Sequence, residues 1–223
     1  MTTILIIVTN HATLGTTEEK NGTYAPEITH AIAVFEKAGA SYQIASIQGG
    51  AAPLYGEDIE DGVNDVVLAN EAFKAQIANT AVANDIDFAE FDAIFYPGGF
   101  GLLSDLAENA DVAAKVAAEW EAGKVLGAVC HGPAGLLPIT LSNGEKLIAD
   151  KHVTCFTREE EIDFGTLPNI PFLLEESLTR SAGIYSKVAP WKEYVITDGK
   201  LVTGQNPASA HAVGEKIIAL LKE

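Results

Sequence analysis

Cys130 and His131 stand side by side in VLGAVCHGPAGLL, residues 125–137, between an apolar run and a stretch of glycine, proline and alanine. A strand that feeds a thiol on a small-residue turn, with a helix starting behind it, has the layout of a nucleophile elbow. A thiol held there faces the positive end of the following helix, so its pKa is expected to fall toward or below neutrality. The resulting thiolate would attack carbonyl carbons. Gly132 and the pair Gly98-Gly99 let backbone approach without a β-carbon in the way, which makes the N–H groups around them candidates for an oxyanion hole.

Two further groups bear on this thiol. Glu27 falls in the first turn of an expected helix, and His30, three residues on, shares its face. His131 is a candidate proton relay once a carboxylate orients it, and the acid run Glu159-Glu160-Glu161 is the nearest supplier. Cys155, inside HVTCF, reads as core. His11, His152 and His211 are scattered and read as structural groups. Neither cysteine belongs to a CxxC pair, so neither a disulfide framework nor a metal site is expected.

The elements around these residues must place them together. TILIIVTN is a β-branched run suited to a strand buried on both faces, and a polar loop separates it from PEITHAIAVFEKAG, a helix with Pro26 in its first turn and Gly39 as its stop. SYQIASI completes a βαβ unit. The acidic stretch 53–90 reads as an insertion or flanking arm with a helix over 65–79. FDAIFY is a strand running into Gly98-Gly99, residues 111–122 form an Ala-rich helix, and KVLGAV is a strand stopping at Cys130. A short helix follows from GPAGLLP, then a strand, KHVTCF, and an amphipathic helix, IPFLLEESLTRSAG. YVITDGKLVTG is a hairpin about Asp198-Gly199, and a terminal helix follows Pro207. This alternation predicts an α/β fold, a mainly parallel sheet with helices on both faces, whose site lies at the carboxyl ends of the strands. The whole chain, 1–223, is expected to be one domain.

Fourteen basic against thirty-one acidic residues give a formal charge of −17, which disfavours nucleic acid and anionic membrane surfaces as partners. The N-terminal MTTILIIVTN has no basic region, and its apolar run is too short for a leader or a span, so a cytoplasmic protein is expected.

The segments YPGGFG, AVCHGPAGLL, FTREEEIDFG and VITDGKLVTGQNPASA, in this order, resemble the ThiJ/PfpI superfamily, and within it the branch of cofactor-independent glyoxalase III enzymes and heat-shock chaperones. The resemblance implies a flavodoxin-like three-layer sandwich of the class I glutamine amidotransferase type, a homodimer, and a stress-response role without a cofactor. It implies Cys130 as nucleophile, His131 and Glu161 as its triad partners, Glu27 as the carboxylate beside the thiol, and the amides of Gly99 and His131 as the oxyanion hole. Gly98, Phe100 and His30 would border the substrate. Its implied activity converts methylglyoxal or related 2-oxoaldehydes to 2-hydroxy acids (D-lactate) without glutathione, through a hemithioacetal on Cys130. The chain departs from the branch at Phe100, where Gly-Gly-His-Gly is usual, and a phenyl ring neither donates a hydrogen bond nor moves a proton.

Two other readings stand beside this one. A cysteine peptidase or amidase would use the same triad for acyl transfer, although the His-x-Glu pair of glutamine amidotransferases is missing after the cysteine. A non-catalytic stress chaperone or redox sensor would instead expose an apolar patch or oxidise Cys130.

Overall fold

Alternate residues of β1 (Thr3–Val8) enter two different cores: Ile4, Ile6 and Val8 pack on one side of the sheet, Leu5 and Ile7 on the other. A strand with no polar face must lie in the middle of a sheet covered on both sides. In the computed structural model, which describes residues 2–223, β1 is indeed flanked in parallel by β3 (Ser41–Ser46) and β6 (Ala93–Tyr96).

The seven-stranded sheet continues through β7 (Val125–Val129) and β11 (Leu201–Gly204) to β10 (Val195–Asp198) at one edge, and through β3 to β5 (Ala81–Val82) at the other. Only β10 runs antiparallel, as the second arm of the hairpin about Asp198-Gly199. On the Ile4 and Ile6 side lie α1 (Ala25–Lys37), whose Ile28, Ile32 and Phe35 are fully buried, and α8 (Ala210–Leu220). The other side carries α4 (Leu102–Asp105), α5 (Ala110–Glu121) and α7 (Leu174–Ser181). This is the three-layer α/β sandwich. No helix among the described residues is long and apolar enough to cross a membrane.

Residues 53–90 are woven into the domain more closely than a flanking arm would be. They supply the edge strand β5, the core side chains Val67 and Phe73, and β4 (Leu54–Tyr55), which pairs with β2 (Thr23–Tyr24) just before α1. The single helix expected over 65–79 is two, α2 (Gly62–Ala69) and α3 (Glu71–Ala78). Asn70 breaks them: it ends α2 in an extended conformation and its side chain accepts the Ala72 and Phe73 amides, which makes it the N-cap of α3.

The strand expected in KHVTCF is also shorter. Only β8 (His152–Val153) forms, paired with β9 (Ile184–Tyr185) outside the main sheet. Beyond it the chain passes under β7, where the Phe156 amide donates to the Cys130 carbonyl, and enters α6 (Arg158–Phe164). GPAGLLP makes a five-residue 3-10 turn, Gly132–Leu136.

Candidate active site

β7 ends in a conformation that only a fixed surrounding tolerates. Cys130 has φ 60°, one of two non-glycine residues in the left-handed region among those described. Such backbone costs of order 1–3 kcal/mol and persists where neighbours over-determine it. Here the Cys130 amide donates to Gly204 of β11 at 2.9 Å and its carbonyl accepts from Phe156 at 2.9 Å. A β-carbon on Gly132 would run into the Tyr96 carbonyl, so the turn after the cysteine lies flat against the end of β6. The sharp turn presents Sγ at the carboxyl edge of the sheet.

The thiol meets a complete relay. Cys130 Sγ lies 3.3 Å from His131 Nδ1, and His131 Nε2 lies 2.8 Å from Glu161 Oε1. Both side chains of that second pair are buried. With Glu161 ionised, Nε2 carries the proton and donates it to the carboxylate, which leaves the Nδ1 lone pair facing the thiol. Thr166 Oγ1 donates to the other Glu161 oxygen. The imidazole is clamped between Phe100 and Phe156, with ring centroids 4.4 and 4.7 Å away.

Glu161 reaches this place because α6 starts where it does. Thr157 caps the helix, its hydroxyl accepting the Glu160 amide while the Glu160 carboxylate accepts the Thr157 amide, a reciprocal capping box. Of the acid run, only Glu159 is a solvated face and pairs with Lys187. Glu160 turns inward and gathers Gln205, Asn206 and the Trp191 amide on one oxygen. That hub was not singled out from the sequence, although T-x-x-E in TREE is a readable capping box.

Glu27 approaches the thiol from the opposite side. It is fully buried, and neither carboxylate oxygen has a hydrogen-bond partner of good geometry. Burial pushes its pKa up to about 8, against a smaller opposing pull from the Cys130 thiol and the Gly98 amide beside it. The thiol is displaced the same way: burial first, then the Glu27 carboxylate, hold Cys130 well above the ordinary cysteine range. The expected helix-dipole thiolate is therefore corrected. The helix behind the elbow is a short 3-10 turn, too small to offset desolvation of an anion. The Glu27 carboxylate thus adds to burial in keeping the proton on Cys130.

Gly98 is what lets that pair form. A β-carbon there would run into the Glu27 carboxylate and stand 2.6 Å from the Cys130 β-carbon. Gly98→Ala is expected to cost about 1–3 kcal/mol by overpacking, read as a fall in the midpoint of thermal unfolding, and to separate Glu27 from the thiol. Gly99 has φ 123° and backs onto the Gly22 carbonyl. The Gly99 and His131 amides take no part in the backbone hydrogen bonds of the surrounding turns, which leaves both as potential donors to an oxyanion.

The thiol opens into a cavity of about 310 Å³, its mouth included, lined by Tyr24, Tyr55, Phe100, Cys130, His131, Phe156, Phe164, Trp191 and Pro207. Phe100 thus borders the cavity as an apolar wall. His30 does not border it. Its Nε2 lies 2.8 Å from Asp61, the N-cap of α2, so it ties that helix to α1, and its placement beside the substrate is corrected. Cys155 is buried, its thiol donating to the Phe156 carbonyl, as core residues do. No cluster of three or more metal-ligating side chains occurs among the described residues. The aromatic walls other than Phe100 were not singled out in the sequence, because Tyr24, Tyr55, the pair Phe156 and Phe164, and Trp191 come from four separate segments.

Comparison with known proteins gives one consistent answer. The profile of the DJ-1/PfpI family matches residues 20–220. Glyoxalase 3 of Candida albicans is 31% identical, with 98% of each chain covered. A glutathione-independent glyoxalase of Saccharomyces cerevisiae is 29% identical over 91% of this chain and 90% of its own. Among solved structures, the Rapid Encystment Protein 24 KDa of Francisella tularensis superposes with a TM-score of 0.95 at 35% identity, covering 99% of both chains. Glyoxalase III of Candida albicans superposes with a TM-score of 0.87 at 28% identity, covering 98% of this chain and 97% of its own. The fold, the order of the motifs and these relatives agree: the chain belongs to the DJ-1/PfpI family.

Proposed function

We propose that the protein is a glutathione-independent glyoxalase of the glyoxalase III type, converting methylglyoxal or a related 2-oxoaldehyde to the 2-hydroxy acid. The observation that carries this reading is the meeting of two buried proton-transfer systems on one thiol, the His131–Glu161 pair on one side and Glu27 on the other. An acyl-transfer enzyme uses the first and has no need of the second. The small, aromatic-walled cavity also suits an apolar 2-oxoaldehyde better than a peptide.

In this mechanism His131 Nδ1 takes the thiol proton as Sγ adds to the aldehyde carbon, C1, and the amides of Gly99 and His131 hold the oxygen of the hemithioacetal. A base, Glu27 or His131, removes the C1 proton to give an enediol, and a proton is returned to C2. The product is a lactoyl thioester on Cys130, which water cleaves to lactate and the free thiol. C1 is oxidised as C2 is reduced, so one methylglyoxal and one water balance one lactate. Cys130 takes the part that glutathione would otherwise play.

We extend the reading to a homodimer in the cytoplasm, where both thiols stay free as they are here. The test is lactate formation from methylglyoxal by the purified protein in glutathione-free, chelator-treated buffer. Steady turnover is expected, and methylglyoxal left unconverted would overturn the proposal.

A further inference from the structure

Two non-glycine residues among those described have left-handed backbone, Cys130 and Trp191 at φ 62°. Strain of this kind gathers at sites that use it, and Trp191 has no part in the chemistry of the thiol. Its conformation is imposed from below. The Trp191 amide donates to Glu160 Oε1 at 2.9 Å, and the same oxygen receives Asn206 Nδ2 at 2.8 Å and Gln205 Nε2 at 3.1 Å. Asn206 also binds the Lys192 carbonyl, so the loop is pinned on both sides of the indole. Glu160 is completely buried, and these hydrogen bonds offset the cost of its desolvation.

What this loop holds is the outer wall of the cavity. The indole meets Phe156 edge-on at 5.6 Å and lies 6.2 Å from Phe164. Phe164 in turn stacks on Phe100 at 5.9 Å with 27° between the planes. Both outer rings remain part exposed, Phe164 at 53% and Trp191 at 41%. Two large aromatic side chains that line the cavity of the thiol are thus left in water, and one of them, Trp191, stands on backbone held in a costly conformation. A flat substrate group laid across the two rings would desolvate them and gain the ring-to-ring contacts that aromatic pairs favour. A methyl group would cover much less of this apolar surface.

We infer that Phe164 and Trp191, with Phe100 behind them, form a recognition site for a flat apolar substituent on the ketone carbon, so that the preferred 2-oxoaldehydes are arylglyoxals. The inference rests on the proposed glyoxalase reading for the fate of the substrate, but the recognition itself does not depend on turnover. The reaction is the one already balanced: phenylglyoxal and one water give mandelate, C1 oxidised and C2 reduced. Glu160 is the positioning residue for the wall, acting through the Trp191 amide.

Two measurements separate this inference from the reading beneath it. The first is kcat/KM for phenylglyoxal against methylglyoxal. The expected preference for the aryl substrate is about tenfold, equivalent to about 1.4 kcal/mol. Phe164→Ala and Trp191→Ala are each expected to cut that ratio about threefold or more. The second uses alkylating ketones that need no turnover: phenacyl bromide and bromoacetone form an Sγ–C bond on Cys130 and release bromide, the thiol proton passing to His131 and then solvent. Labelling rates, divided by those of a free thiol in solution to remove intrinsic reactivity, are expected to show the same aryl preference and the same loss in the two variants. Hydroxy acid formation with flat ratios in both measurements overturns the aryl site and leaves the glyoxalase reading standing. Aryl-selective labelling without hydroxy acid formation supports the site and removes the glyoxalase reading.

Discussion

Cys130→Ala is expected to lower lactate formation from methylglyoxal by about four orders of magnitude or more, to the level of the solution reaction, as removal of a nucleophile does elsewhere. The expectation follows from the way the site is divided. His131 and Glu161 act at the sulfur and at the carbon bonded to it, because the one free ring nitrogen of His131 faces Sγ at 3.3 Å. Glu27 serves no other side chain, its oxygens having no hydrogen-bond partner of good geometry. Without the sulfur, both systems have nothing to act on and the oxyanion donors have no tetrahedral carbon to hold. The same change at Cys155 is expected to leave the rate near that of the wild type, since that thiol is spent on the Phe156 carbonyl in the core. Thermal unfolding of Cys130→Ala should stay close to wild type, because alanine is smaller and adds no polar group.

Glu27→Gln is expected to separate activity from stability. Amide cannot take up and return a proton, so turnover should fall about 10²–10⁴-fold. Stability should move the other way, and in a pH-dependent manner. The carboxyl of Glu27 is raised from its ordinary value near 4.5 to about 8 in the folded protein by burial. Between those two values the unfolded chain has released this proton while the folded chain still holds it, so the wild type loses stability as pH rises, at up to about 1.4 kcal/mol per pH unit. Below the lower value both states are protonated and nothing is lost. Glu27→Gln removes that slope. Denaturant titrations at pH 5 and pH 8 are expected to show a variant that gains on the wild type as pH increases. Parallel stability curves for the two proteins would mean that Glu27 is not held protonated by burial. The folded protein gives up the Glu27 proton only as pH approaches about 8, and the ionised carboxylate is the form that can act as a base, so wild-type kcat/KM is expected to rise toward pH 8.

The parts of this site that were legible in the sequence are those fixed by local backbone rules. Cys130 follows a fully apolar strand and stands two residues before Gly132, and strand followed by small-residue turn is a short, local pattern. Gly98 and Gly99 announce themselves because no side chain fits beside Glu27 or Gly22. Glu27 lies in the first turn of an amphipathic helix whose period is plain. The polarity of the thiol was not legible, because a pKa depends on what surrounds the group in space, and burial by elements drawn from the whole chain outweighs a short helix turn. His30 misled for a related reason: sharing a helix face with Glu27 sets direction, but the partner that takes up that direction is Asp61, thirty-one residues away. Glu160 shows a third case. Its capping role is local and could be read, whereas its hold on Trp191 and Asn206 joins segments that meet only when β10 and β11 close the sheet edge.

Phe100 gains a meaning from the structure that composition did not offer. In place of a proton-moving side chain, the position supplies a ring packed on His131 and backing Phe164, so proton transfer falls to His131 and Glu27 while the wall becomes continuous apolar surface.

The central claim is that the substrate is carried covalently on Cys130 while its proton is moved. It is tested most directly by mass spectrometry of protein quenched in acid during turnover of methylglyoxal. The account predicts an adduct of one methylglyoxal unit on the peptide that contains Cys130, present also in Cys155→Ala and absent in Cys130→Ala. Lactate accumulating at the wild-type rate in Cys130→Ala, or an adduct found only away from Cys130, would contradict it.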